Sequence, residues 1–543
     1  MKRLIYSLLL GLIIYPASAQ LSFLKSGSAF KEKSMGAIKL NHCANGQTAL
    51  IVCDGREFSC QLFDEGLQPK AEQTFTVDKK YGFVNVYKII ETESSLVVVF
   101  EKTYRKNGMQ DHKPLIATVI FDLKTGTWGE EKVLLNEAVN EISGQVFVYQ
   151  QERRADYYVV ISVDGYGKTN TKSINVFHFD SKNHLQDSIQ HIIESKFSHN
   201  LLSVEKVENQ LYILLGGGDI PSREYGEFDL FLGVCDLQKS KVEIKPIVGL
   251  AGRTRTGVLG YNSVNSKMYV LLTELPNSRP KGTPVNANAI QFAEISISTG
   301  HIAELRNLYP DSLNIWQRKH FKSSEKLRLT PVDLRIAQDG QMYVICENIQ
   351  KEYSNGYGDR FPFTDENFRI TMNTIMPGVE NTAGFQGSLN DVAILTLDQN
   401  GTMIRQHLIP KVQKTPFQNY PAFYSYRMRH YLPNLYYGNQ YRSFYFLPDT
   451  KSPRVFFNDY ASNNENVKAG KELKSYYAVK SGEMMQVQLE ASGIITNRTT
   501  LNEEGDQVVE SAIIPAIDVD QVKRLITAIA LTDKKWKLIQ WKF

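Results

Sequence analysis

Tyrosine beside glycine recurs in this chain: Gly165-Tyr166-Gly167, Tyr225-Gly226 and Gly356-Tyr357-Gly358, the last followed by Asp359 and Arg360. Tyrosine offers a flat apolar ring with a hydrogen-bonding tip, and arginine a planar fork of donors. Recognition surfaces are enriched in both. Arg279 stands in a comparable polar stretch. Residues 417–446 hold twelve aromatics, eight of them Tyr, interleaved with Arg427, Arg429, His430 and Arg442. Rings with basic partners can stack on sugars, bases or the side chains of a partner protein. Tyr166, Tyr225, Arg279, Tyr357 and Arg360, with Arg427 and Tyr431 as a second patch, are therefore the candidate ligand- or partner-binding residues. The competing reading is packing, with each ring lying over a sheet edge and each glycine punctuating a loop.

Catalytic patterns do not assemble from the same sequence. Glu224 with Glu227 and Asp359 with Asp365 are carboxylate pairs of the kind that hydrolyse glycosidic bonds, but spacing along a loop does not set separation in space. The 216–219 run of three glycines and Asp219 lacks the Lys-Ser/Thr ending of a phosphate loop. The ten histidines include no H-x-H or H-E-x-x-H pair, no G-x-S-x-G elbow occurs, and no C-x-x-C is present. The residues thus name no catalytic group, metal ligand or cofactor.

Charge and targeting signals narrow the setting. Sixty-two basic against 58 acidic residues leave +4, far from the basic stripe of a nucleic-acid binder. Lys2 and Arg3, the apolar run 4–15 and the Ala17-Ser18-Ala19 site read as a signal peptide, residues 1–19, cleaved before Gln20. The run is too short to span a bilayer, no cysteine follows the cut, and no second hydrophobic span occurs. The expectation is a periplasmic or extracellular protein that is neither membrane-spanning nor a lipoprotein. Cys43, Cys53 and Cys60 lie close enough in sequence for one bridge in an oxidising compartment, and equally suit small buried positions in strands. Cys235 and Cys346 sit in apolar strands.

The elements that would position these residues repeat. An alternating apolar strand, a polar turn and a return strand occur at 393–409, 118–135, 292–308 and 485–501, with weaker copies at 60–77, 176–193 and 233–248. Glycine or asparagine in the turn supplies the positive φ that tight hairpins need. A further strand pair precedes each hairpin, most clearly at 334–346. Four antiparallel strands recurring about every 50 residues resemble the blades of β-propeller proteins. The resemblance covers the architecture of residues 20–543 as one all-β domain and implies no activity. Seven blades fit between about residues 36 and 503. Three short strands near 513–517, 525–531 and 536–543, completed by 21–24, would make an eighth, stitched from both chain ends. The alternative is seven blades, with a helix from the spacing of Val522, Leu525, Ile526, Ile529 and Ala530 after Asp520.

Blade topology sorts the connections onto two faces. The turns within hairpins are short, whereas the segments 102–114, 164–173, 216–227, 274–289, 347–390 and 460–475 and the links 309–330 and 411–441 are long. Connections beyond about 12–15 residues usually serve function or disorder. The sequence therefore suggests a non-catalytic interaction module that binds a protein or glycan through its long-loop face. The alternative is a carbohydrate-active hydrolase or lyase with its site over the central channel.

Overall fold

A computed structural model of the chain describes residues 21–543 except 32–36, 107–108, 137–141, 166–171, 194–197, 219–228, 248–254, 275–289, 323–326, 328, 352–386, 416–440, 442, 450–452, 478, 491, 504–506 and 534. Eight antiparallel sheets follow one another around a ring, which makes the protein an eight-bladed β-propeller. In chain order the innermost strands are Ala37–His42, Tyr81–Glu91, Ile142–Gln150, Ser198–Val207, Arg255–Asn262, Leu329–Ile336, Tyr445–Leu447 and Asp518–Asp520, and they number blades 1 to 8.

A twisted four-stranded sheet has two apolar faces, and the ring buries both. Blades 3 and 4 share one core, as do blades 4 and 5, 5 and 6, 6 and 7, 7 and 8, and 2 and 3. A larger cluster joins blade 1 to blades 2 and 8. No interface in the ring lacks an apolar core. Between inner strands, polar contacts set the spacing: Gln145 accepts from the Leu201 N–H, and the Ser203 hydroxyl accepts from the Leu259 N–H.

Blade 8 is closed from both chain ends. Strands Leu525–Thr532 and Lys535–Lys542 follow its inner strand, and Ser22–Ser26 adds the outermost one, pairing Ser22 with Lys542 and Ser26 with Ile539. The helix alternative fails because Ile526, Thr527, Ile529 and Thr532 are β-branched, favouring a strand, and the Val522 side chain of the would-be stripe is 94% exposed in a turn. Residues expected as the first strand of this blade instead form a 3₁₀ turn, Ile514–Ala516, around Pro515. That turn wedges Ile513 and Ala516 into the blade 1 core and Ile514 into the blade 7–8 core.

The hairpin turns obey a common chemistry. Asp122, Asp180, Asp236 and Asp398 each accept N–H groups from the turn that follows, and one left-handed residue closes each turn. That residue is Gly126, Gly300 or Gly401 in three turns, but Leu67, Asn183 and Ser240 in others. Blade 7 departs from the expected hairpin. Gly493–Ile494 pairs in parallel with the outer strand of blade 6, and the blade's own fourth strand is Thr499–Thr500. All five cysteines are buried free thiols, four of them in strands and Cys43 just past the strand Ala37–His42, so the bridge reading is replaced by small buried side chains.

Candidate binding face

The two faces of the ring are built differently. On one, the strand-to-strand turns are short. On the other, the strands stop at Gly165, Gly218, Glu274 and Lys351 and resume at Lys172, Asp229, Ile290 and Gly387. Tyr166, Tyr225, Arg279, Tyr357 and Arg360 fall in those intervals, and Arg427 and Tyr431 fall in 416–440. All seven lie outside the described residues.

One expected loop is not a loop. The second and third strands of blade 2, Ser95–Lys106 and Met109–Asp122, continue past the rim as a hairpin that pairs Arg105 with Gln110 and Lys106 with Met109. Alternation along 95–106 places Tyr104 at the rim, where its ring packs 4.7 Å from that of Tyr81. The Lys102 ammonium lies 3.9 Å from the Tyr81 ring centre and pairs with Glu131. The hydrogen bond to Tyr81 raises the Tyr104 hydroxyl above its usual pKa, so it stays a neutral donor and acceptor at physiological pH.

Three tyrosines are conspicuously exposed among the described residues, and all three stand on this face. Tyr104 is 37% exposed, Tyr309 60% and Tyr477 57%. Tyr309 follows the last strand of blade 5, and Tyr477 precedes the third strand of blade 7. Tyr477 is held edge-on to Tyr460, whose hydroxyl accepts its N–H. Ile315, on helix α1 (Asp311–Phe321), adds an exposed apolar side chain between blades 5 and 6. Tyr309 and Tyr477 have no glycine neighbour, so the Gly-Tyr pattern does not mark them. Their place in long connections was the available signal.

Beneath this rim, charges are paired and buried. The Lys411 ammonium donates to Glu347 at 2.6 Å, to the Leu389 carbonyl and to Gln413. Burial still raises the Glu347 carboxyl pKa against the pull of Lys411. Arg498 pairs with Asp459, both side chains fully buried, and Asp459 also accepts from Asn463 on helix α2 (Ser462–Lys468). Helix α1 is tied to α2 where His320 meets the Val467 carbonyl at 2.5 Å. These pairs hold the rim in shape.

The opposite face closes on itself. The turn after the first strand of blade 3 carries Arg153 and Arg154, the latter left-handed at φ 68. Arg153 donates to Asp518 of blade 8 at 3.0 Å and to the His42 carbonyl of blade 1 at 2.7 Å, and pairs with Glu91 of blade 2. Arg154 takes the other Glu91 oxygen at 2.7 Å. Two guanidinium groups thus clasp four blades across the seam of the ring. Burial, with Lys523 beside it, keeps the His42 imidazole below its usual pKa and therefore neutral.

No family model and no curated protein matches the chain. Among solved structures, Sqt1 of Saccharomyces cerevisiae aligns over 96% of this chain and 98% of its own, at 11% identity and a TM-score of 0.42. A polysaccharide lyase, Uly1, aligns over 59% of this chain and 75% of its own, at 8% identity and a TM-score of 0.33. A variant of the Synechocystis apocarotenoid oxygenase aligns over 50% of this chain at 7% identity and a TM-score of 0.30, and the chain spans 62% of that enzyme's length. Likenesses this distant carry no argument about function.

Proposed function

We propose that this propeller is a non-catalytic binding module of the cell envelope or extracellular space, which recognises a protein partner or a glycan through its long-connection face. The observation that supports this reading is the placement of the exposed tyrosines: Tyr104, Tyr309 and Tyr477 all stand on that face, and no exposed aromatic among the described residues stands on the other. An exposed ring costs a folded protein solvation without adding to its core, whereas at an interface a buried aromatic anchor contributes about 2 kcal/mol or more. The segments that carry Tyr166, Tyr225, Tyr357 and Arg360 leave from the same face.

The test is capture of partners from the native envelope by the mature chain, alongside binding to a panel of envelope polysaccharides. Tyr104→Ala, Tyr309→Ala and Tyr477→Ala together should weaken binding at least about a hundredfold while thermal unfolding stays within a few degrees. Lys124→Ala, Lys239→Ala and Gln399→Ala, in turns of the opposite face, should leave binding intact. Binding lost only in the second set would place the interface on the wrong side of the ring. Cleavage of a bound polysaccharide by the wild-type protein would replace the binding reading with the catalytic one.

A further inference from the structure

Blade 6 carries a polar cluster that the binding reading does not use. Its second strand, Met342–Lys351, places Val344 and Cys346 in the core shared with blade 5, and alternation puts Asn348 on the same side. In the third strand, Gly387–Leu397, Ala393 and Leu395 face the same core. The register then slips. Glu347 pairs with Val392, but Ile349 pairs with Leu389, so Asn348 stands opposite two residues, Asn390 and Asp391. A bulge of this kind re-aims side chains. Here Asp391 meets the Asn348 side chain, beneath helix α1, with Asn390 next to it in the bulge. From that helix the Gln317 amide reaches the Asp391 carboxylate at 3.4 Å.

The cluster is rich in oxygen and short of donors. Asn348, Asn390 and Asp391 are 4%, 8% and 9% exposed. The Asn348 side chain and the Lys411 N–H donate to Asp391. The amide oxygens of Gln317, Asn348 and Asn390 are buried and have no hydrogen-bond partner. Buried acceptors of this kind are normally satisfied, and two on amides that touch one carboxylate, with a third on the adjoining residue, form a set that a donor or a cation completes. Amide nitrogen and oxygen exchange places by rotation about the last side-chain bond. The same three side chains can therefore turn their carbonyl oxygens toward the carboxylate once a positive charge sits there.

We propose that Gln317, Asn348, Asn390 and Asp391 bind a hard divalent cation of calcium's size. Calcium takes six to eight oxygens at about 2.3–2.6 Å, from carboxylates, amide carbonyls and water, in flexible geometry. Magnesium demands a tighter octahedron and keeps its waters. The neighbouring Lys411 ammonium does not oppose the charge, because Glu347 already neutralises it at 2.6 Å. With a single carboxylate, the site belongs to the weak class, with dissociation constants of about 0.1–1 mM, typical of extracellular modules. A search for histidines, cysteines and paired carboxylates passes over such a site, since no group of three or more His, Cys, Asp or Glu that could hold a metal occurs among the described residues. Bound there, the ion would brace α1 against the blade at the root of the long segment 352–386.

The experiment is calorimetric titration of the full mature chain with calcium chloride, with thermal unfolding followed in parallel and sodium, potassium and magnesium chlorides as comparators at equal ionic strength. Calcium should bind one site and raise the unfolding temperature, and magnesium should do so more weakly. Asp391→Asn, which keeps the shape and removes the charge, should weaken calcium at least about tenfold. Gln317→Met, on a half-exposed helix position, should weaken it by a smaller factor, and it decides the matter if Asp391→Asn does not fold. The proposal is overturned if calcium up to about 10 mM gives no heat, if Asp391→Asn and Gln317→Met bind as the wild type does, or if sodium or potassium acts as strongly as calcium. It is equally overturned if binding survives both changes and is lost only in Asp359→Asn with Asp365→Asn, which would place the ion in 352–386.

Discussion

On the tight-turn face, polar side chains serve the chain itself: turn aspartates accept their own N–H groups, and Arg153 and Arg154 hold four blades across the seam. On the long-connection face, the paired charges lie below the rim, and the residues at the surface include three tyrosines with exposed rings. One repeat, written eight times, produces both faces. Folding needs short turns on either side, and the tight-turn face shows that this chain can make them. The other face keeps long segments although ordering a residue costs roughly 1–2 kcal/mol of backbone entropy. The difference separates what closes the ring from what the ring displays.

The comparison is put under most strain by breaking closure. Deleting residues 526–543 removes most of two strands of blade 8, together with the fully buried Trp536 and Trp541, and leaves Ser22–Ser26 without its partner strand. The expected result is loss of cooperative unfolding of the whole molecule, seen by calorimetry or near-ultraviolet dichroism. A truncated chain that melts like the full one would show that the ring does not depend on its seam. Next in size is Arg498→Leu, which leaves the Asp459 carboxylate buried and unpaired and should cost about 3–5 kcal/mol in denaturant unfolding. Arg153→Ala should cost less, because its side chain is 27% exposed and water can replace part of the contact. If the clasp variant proves the more damaging of the two, the seam matters more than the buried pairs beneath the rim.

How much of this was legible beforehand depended on whether the signal was local. Hairpins such as 393–409 announce themselves by alternation and a turn of Asp, Asn and Gly, and the structure keeps that hairpin as Gly387–Leu397 against Met403–Ile409. The eighth blade was legible because strand-like segments remained at both ends of the chain. Its first strand was misplaced by a few residues, because apolar Ile513, Ile514 and Ala516 look like a strand while Pro515 imposes a turn. The clasp was not legible. Arg153 meets Asp518 across 365 residues of sequence, and nothing near either residue marks the pair. The bulge at Asn390 and Asp391 was hidden for a related reason, since an extra residue in one strand shows only against its partner's register.

Acid should discriminate between buried and displayed groups. His407, in the outer strand of blade 6, is 2% exposed. Burial, opposed by hydrogen bonds to the Glu490 and Ile394 backbone and aided by Arg405, pulls its pKa down from 6.5 to about 4. The unfolded chain takes up the proton near pH 6.5 and the folded chain only near 4. Stability is therefore full above about pH 6.5 and falls as the pH drops from there toward 4, by roughly 3 kcal/mol in total. His407→Leu, of similar volume, should flatten that acid limb and leave stability at pH 8 unchanged or higher. An unchanged slope would assign the acid sensitivity to the carboxylates instead.

The smallest effect concerns the short turns of the tight-turn face. Six left-handed positions of the tight-turn face carry side chains that do not favour the conformation, among them Leu67, Glu208, Ser240 and Ser266, at φ 60, 53, 51 and 56. An L-residue there costs roughly 1–2 kcal/mol, and glycine avoids that cost. Glycine in turn loses more entropy on folding, by about 0.5–1 kcal/mol relative to alanine. The two terms nearly cancel, so Ser240→Gly and Glu208→Gly should each stabilise by under about 1 kcal/mol. Leu67→Gly should not, because the Leu67 side chain is 1% exposed within the blade 1 core, and losing it removes burial worth about 2 kcal/mol. Gly401→Ser tests the same reasoning in reverse. A Cβ there would lie 2.6 Å from the Phe292 ring of the neighbouring blade, so the change should destabilise well beyond the cost of the backbone angle. Equal effects at Ser240 and Gly401 would mean that backbone conformation alone selects the turn residue, and that packing between blades does not.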